Sequence, residues 1–156
     1  MNIFILSDDQ KLAAQYHCDK HIVKMPTESG QMLSTALYIH GADGYWKPCH
    51  VKHPCTIWAA QNKANFSWLV NLGYELCAEY TNRYGKEHGA YKAIKYASEH
   101  IDKLPDGELT PFALAMPDQY KCDNAIKSYR DYYMGEKARI ATWKTQTPDW
   151  FIPNCG

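Results

Sequence analysis

Four polar residues early in the chain, His17, His21, Lys24 and Glu28, recur at i, i+4, i+7 and i+11. On one unbroken helix they share a face. Two imidazoles and an ammonium held close together, if partly buried, depress one another's pKa. A lysine depressed in this way is a nucleophile, and a neighbouring carboxylate is a general acid or base. Such a set suits imine formation at a carbonyl or sugar carbon. A solvated helix face carries the same pattern, and Pro26 makes Glu28 the loosest member of the stripe.

A second cluster, Cys49-His50-Val51-Lys52-His53-Pro54-Cys55, follows in a loop. With His17, Cys18 and His21 it has enough thiols and imidazoles for four zinc ligands, and His17 with His21 has metal spacing. The pattern matches no zinc finger and contains no Cys-x-x-Cys. Two other readings stand beside it. His53 caps a helix beginning at Pro54 while His50 bonds within the loop. Or Lys52, His50 and the free N–H groups of that helix bind phosphate. Trp46 sits among Gly, Pro and polar residues, as a stacking partner for a base or a lid packed on the core. Asn62 belongs to a run of amides (Gln61, Asn62, Asn65) that reads base edges or faces water. Segment 121–144 holds six cations, Arg130 and Lys137 among them, against three carboxylates. It is the one local basic bias, and most such faces are simply solvated.

The elements that must position these residues read as helices. Residues 2–6 (NIFIL) are a short apolar run, strand or extended. Ser7 with Gln10 reads as a capping box. A helix is expected over about 8–25, with Leu12, Tyr16 and Val23 as its apolar stripe, and Pro26 kinks or restarts it. Thr27 to His40 continues to a stop at Gly41, and 41–52 is a loop. Pro54 fits the first turn of a long central helix, about 54–84, with Ile57, Trp58, Phe66 and Leu69 inward and Gly85 as its stop. A shorter helix covers about 89–101, residues 104–121 form an ordered loop, and Asp123 caps a last helix to about 144. The expectation is a compact all-α fold of about five helices, residues 1–156 forming one domain.

Composition narrows the function classes. Lys+Arg and Asp+Glu number 17 each, so the net charge is zero. That argues against holding nucleic acid by bulk positive charge, though a local basic face stays open. No apolar run approaches the roughly 18 residues of a membrane helix, and MNIFIL lacks the features of a signal peptide. A cytosolic protein with six thiols, and no membrane partner, is expected.

The order of these features resembles the phage pyrimidine-dimer DNA glycosylase/AP lyase family, the endonuclease V-type repair enzymes. An apolar N-terminal stretch leads into a His-bearing helix, LAAQYHCDKHIVKMP. A Pro-x3-Gly step follows, Pro26 to Gly30. The loop from His50 to His53 leads into a long helix ending near Arg83 and Gly85. A helix containing Glu136-Lys137 then precedes an aromatic tail, Trp143 to Phe151. The HCDKH segment also resembles phage-encoded relatives, for which the host cytoplasm is the expected location.

The resemblance implies an all-α fold and a mechanism without a cofactor. The chain's own α-amine, here on Met1, attacks C1′ of a damaged or modified nucleotide in duplex DNA. An imine forms, the base leaves, and elimination can cut the strand, with a carboxylate assisting. Met1, Lys24, Glu28 and His21 are the catalytic candidates. His17, Trp46, His50, Lys52, His53, Asn62, Arg130 and Lys137 are candidates for contact with DNA or substrate.

Three residue-level features depart from the family pattern. Asn2 is large enough to retain the initiator Met, whose α-amine has a reference pKa of about 8. Alignment on the Pro-x3-Gly step puts Lys24 where the family keeps its acid. Either Glu28, one turn on, supplies the carboxylate, or Lys24 is the nucleophile. The pI is neutral where these enzymes are usually basic. Two other classes stay open: a metal-dependent hydrolase or nuclease using His17, His21, His50 and His53, and a non-catalytic nucleotide- or protein-binding protein on the same scaffold.

Overall fold

The computed structural model describes residues 1–152. Six α-helices carry the fold: α1 (Gln10–Tyr16), α2 (Asp19–Ile39), α3 (Pro54–Ala60), α4 (Lys63–Tyr84), α5 (Tyr91–Ser98) and α6 (Ala125–Tyr132). Short 3-10 turns span Ile101–Lys103 and Asp118–Tyr120, and a π turn spans Tyr133–Lys137. Among the described residues no strand forms, and the fold is all-α. Among the described residues no helix is long and apolar enough to cross a membrane.

The run at 2–6 is extended and threads the core, with Ile3, Phe4, Ile5 and Leu6 at most 4% exposed. Burying such side chains contributes roughly 1.5–3 kcal/mol each, which is of the same size as the entropy cost of ordering them, roughly 1–2 kcal/mol per residue for the backbone. The buried backbone finds partners outside any sheet. Leu6 O accepts from Arg130 Nε at 3.0 Å, and Ile3 N–H donates to Asn2 Oδ1 at 2.8 Å.

The first expected helix is two helices. Asp9 caps α1, accepting from Leu12 N–H, so it takes the role that the sequence assigned to Ser7. The chain breaks at His17 and Cys18, both extended in φ/ψ. The Cys18 N–H donates to the Tyr133 hydroxyl at 3.2 Å, a tertiary partner that local spacing does not reveal. The break takes His17 off the register of α2 and leaves Val23 48% exposed. Pro26 neither ends nor restarts α2, which runs unbroken through it for 21 residues. The helix packs on α3, α4 and α5 at once, and that packing outweighs the one hydrogen bond Pro26 deletes.

The long helix is also two helices. Asn62 caps α4 through a 2.9 Å bond from Asn65 N–H, and Lys63 N–H is taken by Pro105 O at 2.8 Å. The loop 104–111 therefore docks where the chain turns, and Ile57 on α3 faces solvent rather than the core. The last helix is shorter than its sequence pattern, α6 closing in the π turn.

Arg83 ties the helix ends together. Its buried side chain meets Asp19 Oδ1 at 3.1 Å, Glu79 Oε2 at 2.7 Å and Gln15 O at 3.0 Å. Asp19 in turn takes the Lys144 N–H at 3.0 Å, and its own N–H donates to Thr142 O at 2.7 Å. The C-terminal segment is thereby fastened to the start of α2.

Gly30 closes the Pro-x3-Gly step for a packing reason. A Cβ there would sit 2.7 Å from Trp46 Cζ3 and 3.2 Å from Ala93 Cβ on α5. The Trp46 backbone is held in turn by Ser34 Oγ at 3.2 Å. Gly30→Ala gains about 1 kcal/mol of helix propensity, but overpacking costs about 1–3 kcal/mol. The expected outcome is a lower melting temperature with altered tryptophan emission as the indole is displaced.

Candidate active site

The buried N-terminal segment delivers Met1 to a carboxylate. The Met1 side chain is 3% exposed, whereas the residue as a whole is only half-buried. Its accessible part is therefore main chain. Glu28 Oε1 lies 3.3 Å from the α-amine and accepts the Asn2 N–H at 3.0 Å. Glu28 Oε2 lies 3.4 Å from Lys24 Nζ. One buried carboxylate serves two amines, one on the chain terminus and one on a lysine that is 64% exposed. Glu28 follows His21 by two turns of α2, so both face inward, while Lys24 stands at the rim. The helix continuity through Pro26 makes this possible.

Asn2 fixes the terminus, and sequence reasoning gave it only the task of retaining Met1. Its Nδ2 donates to Ala115 O at 2.9 Å, and its Oδ1 accepts from Tyr129 Oη at 3.2 Å and lies 3.6 Å from Cys55 Sγ. Tyr129 is fully buried, and its hydroxyl also lies 2.6 Å from Ala113 O, so its single proton is shared between the two acceptors. Burial pushes the Cys55 thiol up to about 11, so it stands here as a neutral hydrogen-bonding group. The one available signal for Asn2 was a polar residue in an otherwise apolar run.

The loop after α2 brings His53 to the same place. Its Nδ1 accepts the Cys55 N–H at 3.1 Å and caps α3. This is the capping role foreseen for it, and it consumes an N–H that the phosphate reading needed. Burial first, then the Met1 ammonium and His50, lower the His53 pKa below 6.5, with Glu28 and the Met1 carbonyl opposing. His50 and Lys52 are exposed beside it.

Other candidates lie elsewhere. His17 is fully enclosed, its Nδ1 2.7 Å from Ala13 O and its Nε2 without a partner. It has no surface to offer DNA. His21 stacks on Phe4 at 4.4 Å and shares a 2.6 Å hydrogen bond with Tyr133 Oη. The His stripe is core, neither solvated nor a pocket wall. Asn62 is buried, with Nδ2 on Glu108 O and Oδ1 on its helix, so it reads no base edge. Arg130 spends its guanidinium on Leu6 O and on the faces of Tyr16 (5.4 Å) and Trp150 (5.1 Å). Lys137 lies 5.0 Å over the Tyr132 ring. Trp46 is half-buried against α2, as a lid packed on the core would be. Among the described residues no three His, Cys, Asp or Glu side chains converge on a metal position, which removes the geometric basis for a four-ligand zinc site. Cys155 lies outside the described residues.

The family model for pyrimidine dimer DNA glycosylase matches residues 1–92, more than half of the chain. The chain therefore belongs to the pyrimidine dimer DNA glycosylase family, which places it among the DNA glycosylases. No curated protein and no solved structure matches it. The matched span holds Met1, Asn2, Lys24, Glu28 and His53, whereas Tyr129 and Tyr133 lie beyond it.

The enclosed histidines set a pH limit on the fold. Burial takes His17 down to about 4, reinforced by Arg83 and opposed by the Ala13 carbonyl. Burial takes His21 down to about 2, reinforced by His17, Lys137 and Lys24. Both folded-state values lie below 6.5, so the unfolded chain binds the extra protons. Their contribution is complete above about pH 6.5 and is lost as the pH falls. Denaturant unfolding at pH 5 is expected to show about 4 kcal/mol less stability than at pH 7, about 2 from each ring. His21→Gln should halve that difference.

Proposed function

We propose that this chain excises a damaged or modified base from duplex DNA with the Met1 α-amine as nucleophile. The supporting observation is the amine 3.3 Å from the buried Glu28 carboxylate, at the one accessible part of Met1. The ammonium first gives one proton to water, and the lone pair so freed attacks C1′ as the base departs with the electrons of the glycosidic bond. Glu28 receives the proton the amine sheds and returns it to the ring oxygen as the sugar opens to an imine. Elimination from the imine then breaks the strand, which is the AP lyase step.

Glu28 takes the part of the acid that the family pattern keeps where this chain has Lys24. Lys24 holds the second carboxylate oxygen and presents a cation at the rim, where a DNA phosphate arrives. His50 and Lys52 offer further exposed cation and hydrogen-bond groups on the adjoining loop. Removal of a base from duplex DNA requires taking the nucleotide out of the stack, and an amine at a rim, rather than in a closed cavity, is suited to meeting it.

Borohydride trapping on duplexes with an abasic site tests the reading. Wild type is expected to give a covalent adduct that disappears when the α-amine is blocked. Glu28→Gln, nearly isosteric, should lower the trapping rate by roughly 10²–10⁴-fold, and Lys24→Ala should retain the adduct. An adduct lost only in Lys24→Ala would make the lysine the nucleophile. Folded wild type without any adduct would overturn the amine mechanism.

A further inference from the structure

We infer that Tyr129 is a positioning residue for the nucleophile, acting with the 113–115 backbone through the side chain of Asn2 to set where the Met1 α-amine stands. The inference rests on the amine mechanism proposed above. It assigns a part of that mechanism to the C-terminal third of the chain, beyond the residues 1–92 that the family model matches.

The amine has few ways to move. The peptide bond from Met1 to Asn2 is planar, so fixing Asn2 fixes the Met1 carbonyl carbon. The Met1 side chain is buried, so its Cβ is held as well. With two substituents of the Met1 Cα placed, chirality leaves the amine one direction. Asn2 therefore governs the amine directly, and its own N–H is committed to Glu28 Oε1 at 3.0 Å. What holds the Asn2 side chain comes mostly from far along the chain. Its Nδ2 donates to Ala115 O at 2.9 Å. Its Oδ1 accepts the Ile3 N–H at 2.8 Å and lies 3.2 Å from Tyr129 Oη.

Residues 113–115 run beside Asn2 as a strap. Among the described residues they make no backbone–backbone hydrogen bond. Tyr129 supplies the missing partners, its hydroxyl lying 2.6 Å from Ala113 O and accepting the Ala115 N–H at 3.3 Å. One fully buried hydroxyl thus joins both ends of the strap to the Asn2 amide. The strap is fastened upstream at the turn between α3 and α4. There the Thr110 N–H donates to Asn65 Oδ1 at 3.0 Å, and Thr110 Oγ1 accepts from Asn65 Nδ2 at 2.7 Å. The amide that the sequence offered as a base reader is an anchor for the strap. Without the Tyr129 hydroxyl, Ala113 O and the Ala115 N–H are left unmet in a buried place, at a cost that the strap relieves by shifting. Asn2 shifts with it, and the amine with Asn2. Tyr129 has no surface with which to touch DNA, so its effect falls on geometry and not on affinity.

Tyr129→Phe tests the assignment by removing the hydroxyl and keeping the ring. Asn2→Leu keeps the size of residue 2 and removes its amide. Circular dichroism melting establishes that each is folded, intact mass establishes that Met1 is present, and either variant decides if the other does not fold. Single-turnover borohydride trapping on abasic duplex is read against DNA concentration. In each variant the saturated rate is expected to fall, on the order of 100-fold for a displacement of about 1 Å. The DNA concentration at half-saturation should stay at the wild-type value. The double variant should trap at the rate of Asn2→Leu alone, because Tyr129 acts through Asn2. A folded variant with the wild-type saturated rate would overturn the inference and leave the amine mechanism standing. So would a change in half-saturation alone, or two losses that multiply in the double variant. Wild type without an adduct would overturn both.

Discussion

A carboxylate buried at Glu28 must be compensated, and the structure around it is arranged to do so. An unpaired buried charge costs several kcal/mol, more than the packing of any one side chain returns. The compensation comes from the chain's own terminus: the Met1 ammonium at 3.3 Å and the Asn2 N–H at 3.0 Å. That pairing requires the first six residues to enter the core in an extended form. It also requires α2 to stay helical through Pro26, because the face that holds Glu28 is defined by the turns before it. Arg83 performs the corresponding service where α1, α2 and α4 meet.

The same arrangement reconciles two requirements that conflict on an ordinary surface. A nucleophilic amine needs access, yet a fixed geometry needs anchoring. Here the Met1 side chain and Asn2 are buried and bonded, and what reaches the surface is main chain. Asn2 is the pivot, since its side chain joins the 113–115 segment, Tyr129 on α6 and Cys55 on α3. Position 2 thus decides where the Met1 amine is held. A zero net charge is compatible with this design, because exposed Lys24, Lys52 and His50 stand on the two segments that frame the amine.

Much of the scaffold was legible. The helix periodicities, the stops at Gly41 and Gly85, the 41–52 loop and the Pro54 start follow from local chemistry, which acts over one turn. The errors share one cause. His17–Cys18 and Gln61–Asn62 break apparently continuous helices because Tyr133 and Pro105, both distant in sequence, take the N–H groups there. Pro26 fails to break one because three helices pack on α2. The basic segment 121–144 read as a surface, but Arg130 is drawn inward by Leu6 O and two aromatic faces.

The sequence by itself determined the helical class, the family resemblance and the inventory of chemistry: one terminal amine, a lysine, a carboxylate and several imidazoles. Tertiary structure alone decided their parts. His17 and His21 went to the core, where Phe4 and Tyr133 enclose them. Glu28 went to the terminus, 27 positions along the chain from Met1, and His53 to the N-cap of α3. Spacing along one helix reports which side chains share a face, and nothing local reports which face meets an incoming chain end. Burial of charge decides that, because only the folded chain can set an ammonium against the one carboxylate that requires it.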